Sequence, residues 1–206
     1  MLWPWSSPAP LTALRGPRVL LRLPQMSDYD DWYALRRASR DFLRPFEPRW
    51  TEADLGRRVF ATRVKRAREE AEQGTDYSFF IFLPGGRGRG ETLVGGITLS
   101  NIRRRAAQFV TLGYWMGQEF AGQGLMTEAV GVTLPFVFDT LDLHRIHAAF
   151  LPGNTASRRV LEKNGFVEEG FAEKYLQING RWEDHVLFGL TRERYETSRY
   201  SLRGRA

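Results

Sequence analysis

The stretch that most restricts what this chain can fold into is residues 108–134. QFVTLGYWMG (108–117) has the texture of a strand, AGQGLMT (121–127) follows a short polar link, and an apolar helical run comes next. Two glycines, Gly122 and Gly124, therefore stand one residue apart where a strand hands over to a helix. A helix N-terminus presents unpaired N–H groups and the positive end of the helix dipole. Glycines there let the backbone turn tightly and let a phosphate approach without a Cβ in its way. Two readings fit the corner: a plain tight turn, or a pyrophosphate cradle. Thr127 stands where a dinucleotide fingerprint would have its third glycine, and no G-K-[ST] follows. This weakens a dinucleotide-binding fold and rules out a P-loop.

Around this corner the chain reads as alternating blocks. Residues 1–16 carry three prolines and two tryptophans without a period and read as an extension. RVLLRL (18–23) is a strand. Ser27 and Asp28 announce a helix over about 27–39, and Thr51 opens a second, charged helix to about residue 73. Between them FLRPFEPRW (42–50) is an aromatic loop punctuated by proline. YSFFIFL (77–83) is a buried strand, PGGRGRGE (84–91) a hairpin turn, and TLVGGITLSNI (92–102) and QFVTLGYWMG two further strands. After the corner come a helix to about 140, the strand HRIHAAFL (144–151), a helix from Asn154 to Asn164, and two strands joined at Asn179-Gly180, a hairpin turn signal. Pro135 lies inside the first of these helices and predicts a kink or a fresh start. The order is mixed α/β with an antiparallel front half, about six to seven strands and about four helices.

Composition sets outer limits. The 206 residues suit one domain over 17–192, with tails at 1–16 and 193–206. There is no cysteine, which excludes a disulfide scaffold, a thiol nucleophile and a cysteine metal site and agrees with a reducing, cytoplasmic setting. Three scattered histidines make no metal-ligand cluster. The apolar runs are too short to span a bilayer, and the first residues lack the pattern of a signal peptide, so no membrane role is expected. A formal charge of +6 attracts phosphates, whether on a cofactor or on RNA. The arginines at 192, 194, 199, 203 and 205 make a basic tail, read as solvated or, alternatively, as an RNA contact.

With these blocks in view, the chain resembles the GNAT superfamily of acetyl-CoA-dependent N-acetyltransferases. The corner resembles that family's Q/R-x-x-G-x-G/A loop, matching at Gly124 and departing at Ala121 and Met126. LHRIHAAFLPGNTASRRVLEKNGFVEEGF (143–171) resembles the second half of the family core. SRDFLRPFEPRW (39–50) and YLQINGRWEDHVLFGL (175–190) are similar to the ribosomal-protein-alanine, or RimJ-type, branch. The resemblance implies a mixed sheet splayed at a cofactor slot. It also implies acetyl-CoA as co-substrate and, as acceptor, the N-terminal amine of a protein, a ribosomal one for this branch. A small-molecule amine acetyltransferase and a non-catalytic acyl-CoA-binding or RNA-associated module are the alternatives.

Site residues follow from the same resemblance. Tyr114, Trp115 and Met116, after Gly113, would lie along the pantetheine arm, with a backbone N–H polarising the thioester carbonyl in the manner of an oxyanion hole. Gly122, Gln123, Gly124, Leu125, Met126 and Thr127 would form the pyrophosphate cradle. Gly113 itself reads as a bulge that splays the next strand, or as a point of close packing. Relatives often carry a glutamate base where this chain has Ala148-Ala149-Phe150, and a tyrosine acid where it has Leu161. Where that tyrosine is missing, the serine of N-x-x-S is the implied acid, which singles out Ser157 with Asn154 beside it. The same two residues also read as a helix N-cap and its first turn. In the proline loop, Phe46 and Trp50 would wall the acceptor groove, and Glu47 would hold a cationic N-terminus or simply pack the loop. Glu128 reads as a solvated or capping carboxylate. His144, His147, Asp184 and His185 are weaker candidates for the site.

Overall fold

The computed structural model describes residues 13–85 and 90–203. Its frame is one eight-stranded sheet in the order β1-β2-β3-β4-β5-β6-β8-β7. The strands are β1 (Leu14–Arg15), β2 (Leu20–Arg22), β3 (Tyr77–Leu83), β4 (Thr92–Arg103), β5 (Phe109–Met116), β6 (Arg145–Phe150), β7 (Val167–Ile178) and β8 (Arg181–Thr191). Every neighbouring pair is antiparallel except β5 with β6, which run parallel because a helix over Leu125–Pro135 carries the chain back between them. The strand that sequence reading missed is β1. Two residues are too few for a periodic signal, and they fall in the segment read as an extension. Positions 86–89 of the expected β3–β4 turn lie outside the described residues, as do 1–12 and 204–206.

Alternation along the strands feeds two cores. Leu20, Phe80, Phe82 and Leu93 point to one face, where Trp32 and Leu35 of α1 (Tyr29–Ala38) and Phe60 of α3 (Arg57–Gln73) cover them. Leu21, Phe79, Ile81, Ile97 and Leu112 point to the other, under Ala129 and Val130 of α4 (Leu125–Pro135) and Leu161 of α5 (Thr155–Lys163). The helix expected from Thr51 is in fact two pieces. A 3-10 turn at Glu52–Leu55, held by reciprocal bonds between Thr51 and Asp54, gives way at Gly56 before α3 begins. Asp28, expected as a cap, is buried: it accepts from the Gln25 N–H at 2.7 Å and pairs with Arg22 at 2.7 Å.

The expected disturbance at Pro135 takes a specific form. Proline cannot donate to the carbonyl one turn back, so α4 ends there and the chain continues as a π turn over Phe136–Thr140, with Leu141 N–H reaching the Phe136 carbonyl at 2.9 Å. Two helices were not foreseen. Arg40–Leu43 forms a single turn, α2. Arg192–Arg203, in the segment read as a solvated tail, forms α6. Tyr195 anchors it by stacking on Phe138 with ring centroids 4.7 Å apart. No helix among the described residues is long and apolar enough to cross a membrane.

Candidate functional site

The slot begins where two strands part. β5 pairs with β6 from Phe109↔Arg145 to Leu112↔Ala148 and no further. On its other edge β5 stays paired with β4 through Met116, and the register is regular at Thr98↔Gly113. So Gly113 is not a bulge; it is the residue at which β6 turns away. It is not a point of close packing either, since a Cβ placed there would meet nothing within 4 Å. From Gly113 to Met116 the β5 backbone edge that faced β6 is left unpaired by the sheet, which is what an extended ligand arm needs.

At the end of β5 the chain turns through a 3-10 turn (Gln118–Phe120) into the glycine corner. Gly122 and Gly124 have φ of +76° and +77°, a left-handed conformation that side chains with a Cβ rarely adopt. Gly124 is the N-cap of α4, and the first N–H groups of that helix face away from any intrahelical acceptor. Leu125 and Met126 turn their side chains into the core, with 4% and 8% exposure, so only their backbones front the corner. The Gln123 side chain donates to the Glu119 carbonyl, and Thr127 gives its carbonyl to Asn164. The departures at Ala121 and Met126 thus remove no backbone donor.

Arg18 enters this corner from the start of the sheet, a partner the sequence did not reveal. Its Nη1 donates to the Gln123 carbonyl at 3.2 Å, and its Nη2 is the nearest atom to a Cβ imagined on Gly124, at 3.6 Å. Glu128, read as a solvated or capping carboxylate, fixes it: the carboxylate accepts from Arg18 N at 2.6 Å, Arg18 Nε at 2.8 Å and Val19 N at 3.2 Å. Burial favours the neutral acid at Glu128, but these bonds outweigh it and hold its pKa below the ordinary glutamate range.

Across the slot, α5 presents its N-terminus. Asn154 caps it, its Oδ1 accepting from Ser157 N–H at 3.0 Å. That fixes Ser157 in the first turn, 8% exposed, with Oγ 2.7 Å from the Tyr114 hydroxyl. The pair spans 43 residues of sequence, and nothing local in the chain announces it. Burial pushes the Tyr114 hydroxyl up to about 12, against a lowering by the bond to Ser157, so it keeps its proton at neutral pH. Tyr114, read as part of the cofactor strand, therefore also belongs to the Ser157 cluster.

The proline loop is built around another guanidinium. Arg36, buried on α1, pairs with both oxygens of Glu47 at 2.7 and 2.9 Å, and Trp50 Nε1 donates to the same carboxylate. The Arg36 guanidinium also lies 5.1 Å from the Trp50 ring and 4.9 Å from the Trp115 ring, linking the loop to the end of β5. Trp115 can fold over β4 only because Gly96 has no side chain: a Cβ there would come within 2.5 Å of its Nε1. Glu47 is therefore already engaged inside the protein, while Phe46 is 44% exposed. Ser39, at the end of α1, accepts from Gln118 N–H at 3.0 Å and pins the loop to the corner.

The weaker candidates make contacts of their own. His147 makes an edge contact with Phe109, and burial, then Arg145, lower its pKa. His144 lies 3.6 Å from Glu193 of α6. His185 is buried with its ring nitrogen on the Glu183 carbonyl, and Asp184 accepts from Lys174 N–H. Among the described residues no group of histidines and carboxylates is arranged to hold a metal ion.

A splayed β5–β6 pair, a glycine corner leading into a helix and a polar cluster at the next helix thus stand together on a mixed sheet. Known proteins are similar to this chain in sequence and fold. The family model described as an acetyltransferase (GNAT) domain matches residues 18–167. The chain is 34% identical over 177 residues to probable N-acetyltransferase YjcK of Bacillus subtilis, covering 86% of this chain and 96% of that one. It is 34% identical over 190 residues to the ribosomal protein uS5-alanine N-acetyltransferase of Escherichia coli, covering 91% and 94%. Mycobacterium smegmatis RimJ, solved in complex with CoA-disulfide, matches with a TM-score of 0.78 at 34% identity over 85% of this chain and 82% of that one. The ribosomal-protein-S5-alanine acetyltransferase of Vibrio fischeri gives 0.79 at 32% identity over 87% and 96%. The chain belongs to the GNAT family and is an N-acetyltransferase.

Proposed function

We propose that the chain transfers the acetyl group of acetyl-CoA to the N-terminal α-amine of a protein, a ribosomal protein being the leading candidate. The observation that carries this reading is the continuity of the slot: the free β5 edge at Gly113–Met116 leads through a short turn into the glycine corner, and Tyr114 on that edge bonds Ser157 of α5. Similarity over most of the chain to a ribosomal-protein-alanine acetyltransferase supports the acceptor class.

In this reading the backbone amides from Gly122 to Thr127 take the pyrophosphate, with Arg18 adding positive charge beside them. The free edge of β5 takes the pantetheine arm, and a backbone N–H there polarises the thioester carbonyl. The amine nitrogen forms a bond to that carbonyl carbon, the carbon–sulfur bond breaks, and the thiolate takes a proton from Ser157 Oγ, which regains one from the solvent that receives the amine's proton. Tyr114 orients that hydroxyl. Asn154 sets the position of both by fixing the helix start. A terminal amine has a pKa of about 7.7–8.0, so a sizeable fraction is neutral near pH 8, and water is enough to remove the remaining proton. This fits a β6 strand that offers Ala148, Ala149 and Phe150 where a carboxylate base would stand.

The test is incubation with acetyl-CoA and a library of peptides that differ in their first residue, read by mass spectrometry. Acetyl on the α-amine of peptides beginning with small residues such as alanine or serine is expected. Product only on small free amines or lysine side chains would sink the N-terminal reading and leave the acetyltransferase.

A further inference from the structure

We propose that a groove beside the proline loop reads acidic residues a few positions after the acetylated amine. This rests on the N-terminal reading above and gives that acceptor a charge. The groove is a cavity of about 660 Å³ between the proline loop and the β7–β8 turn, where Arg40, Arg44 and Arg49 face Arg181 and only one carboxylate, Glu183, joins them. A backbone bond clamps its two walls, Asn179 N–H donating to the Glu47 carbonyl at 2.9 Å. The cleft is therefore a built feature of two distant segments.

What marks these arginines is their convergence, four of them on one cleft. Several other guanidiniums are ion-paired, as Arg18 with Glu128, Arg22 with Asp28, Arg36 with Glu47 and Arg192 with Asp142. Among the described residues none of the four groove arginines makes an ion pair. Arg40 lies 5.3 Å from the Trp50 ring, and all four are exposed. Four such cations in one cleft repel each other and raise the local concentration of anions. Guanidinium forks match carboxylates in two-point geometry.

Reach is set by the Trp50–Arg36–Trp115 stack, which separates the groove from the end of β5. With Arg36 5.1 Å from one ring and 4.9 Å from the other, the two rings are no more than about 10 Å apart, which about three extended residues span. An amine at the end of β5 would then bring roughly its fourth residue to the groove. A nucleic acid suits the cleft less well. Single-stranded RNA is usually gripped by stacking bases on open aromatic rings, whereas Trp50 already carries the Arg36 and Arg40 guanidiniums.

The test compares C-terminally amidated peptides that share an N-terminal alanine and carry Asp/Glu, Asn/Gln or Lys at positions two to five. With the full chain, the acidic peptide is expected to show a KM lower than the neutral one by about tenfold or more at low salt. That advantage should fade toward 1 M KCl, where the screening length shrinks to about 3 Å. In the double variant Arg44→Glu/Arg181→Glu the preference should invert toward the lysine peptide. Activity on that peptide also shows that the variant is folded. Equal KM for acidic and neutral peptides, or an acidic preference that survives the double variant, overturns the proposal while the N-terminal reading stands. Failure to acetylate any peptide α-amine overturns both. If instead a uridine dodecamer competes with the neutral peptide, the double variant relieves that competition and acidic peptides gain nothing, the groove is an RNA contact and the proposal is lost.

Discussion

The two halves of the site are built on opposite principles. In the proposed reading the carrier side is mostly backbone, the free edge of β5 and the amides of the glycine corner, with Arg18 and Ser157 the side chains that join them. The side chains there are already satisfied by one another, as in Arg18–Glu128 and Asn154–Ser157–Tyr114. In the groove proposed for the acceptor the lining is side chain, and its four arginines make no ion pair among the described residues. Backbone donors cannot be redirected by a point substitution, which suits a carrier that never changes. Unpaired side chains can be exchanged one at a time, which suits an acceptor that differs between relatives. Breaking the carrier side should therefore cost rate or cofactor affinity, and breaking the acceptor side should move KM for the peptide.

The largest effect is expected at Ser157. Ser157→Ala removes the hydroxyl proposed to protonate the leaving thiolate, and kcat should fall by about 10²–10⁴, the range of a positioned acid. Asn154 still caps α5 in the variant, so the melting temperature should change little, and acetyl-CoA affinity measured by calorimetry should hold. A wild-type kcat would assign the proton to water.

Glu47→Gln tests the acceptor side. The sequence left Glu47 either to hold a cationic amine or to pack the loop, and in the structure it is bonded to Arg36 and Trp50. Removing its charge leaves Arg36, sandwiched near two indole rings, without a counter-ion. The expected loss is about 1.5–3 kcal/mol in urea unfolding, typical of hydrogen bonds to charged groups. KM for the peptide should rise as the loop loosens, and KM for acetyl-CoA should not. A rise in peptide KM with no loss of stability would instead put the carboxylate on the amine itself.

Gly124→Val asks how far the corner depends on glycine. A β-branched residue at φ of +77° carries a cost of about 1–2 kcal/mol and puts a Cβ toward the cradle. Acetyl-CoA binding should weaken by roughly tenfold, since 1.4 kcal/mol is a factor of ten, and peptide KM at saturating acetyl-CoA should be unchanged. Unaltered acetyl-CoA affinity in the folded variant would remove the corner from the binding site.

What could be foreseen from sequence divides along the same line. The elements proposed for the carrier side were legible because they are local: two glycines at a strand–helix junction, an Asn-x-x-Ser step and alternating strands each show within ten or so residues. The acceptor groove was only half legible. FLRPFEPRW stood out as a loop, but its union with Asn179 and Arg181 joins segments far apart in the chain, and no periodicity reports that. Arg18 at the corner and Tyr114 beside Ser157 were invisible for the same reason, being 105 and 43 residues from their partners. Helix α6 was missed because its charged sequence relies on Tyr195 meeting Phe138, a tertiary contact.

The smallest effect separates orientation from chemistry on the carrier side. Tyr114→Phe keeps the ring and removes the hydroxyl that lies 2.7 Å from Ser157 Oγ. One neutral hydrogen bond contributes about 0.5–1.5 kcal/mol, so kcat should drop by roughly two- to tenfold, far less than for Ser157→Ala. If Tyr114 were itself the acid, its loss would match that of Ser157, and the two rates settle which oxygen gives up the proton. Stability offers a second readout with a definite sign. Burial raises the Tyr114 pKa to about 12 in the fold, while in the unfolded chain it returns to an ordinary value near 10. Between these values the unfolded chain releases this proton and the folded one retains it, so alkali favours unfolding. The contribution is fully present below pH 10 and lost as pH rises toward 12. Denaturant midpoints of wild type and Tyr114→Phe should therefore keep a constant difference from pH 7 to about 9.5 and shift against the wild type above it. A difference that stays flat through pH 11 would mean that the hydroxyl is open to water, and the Ser157 pair would then be a surface contact rather than a positioned one.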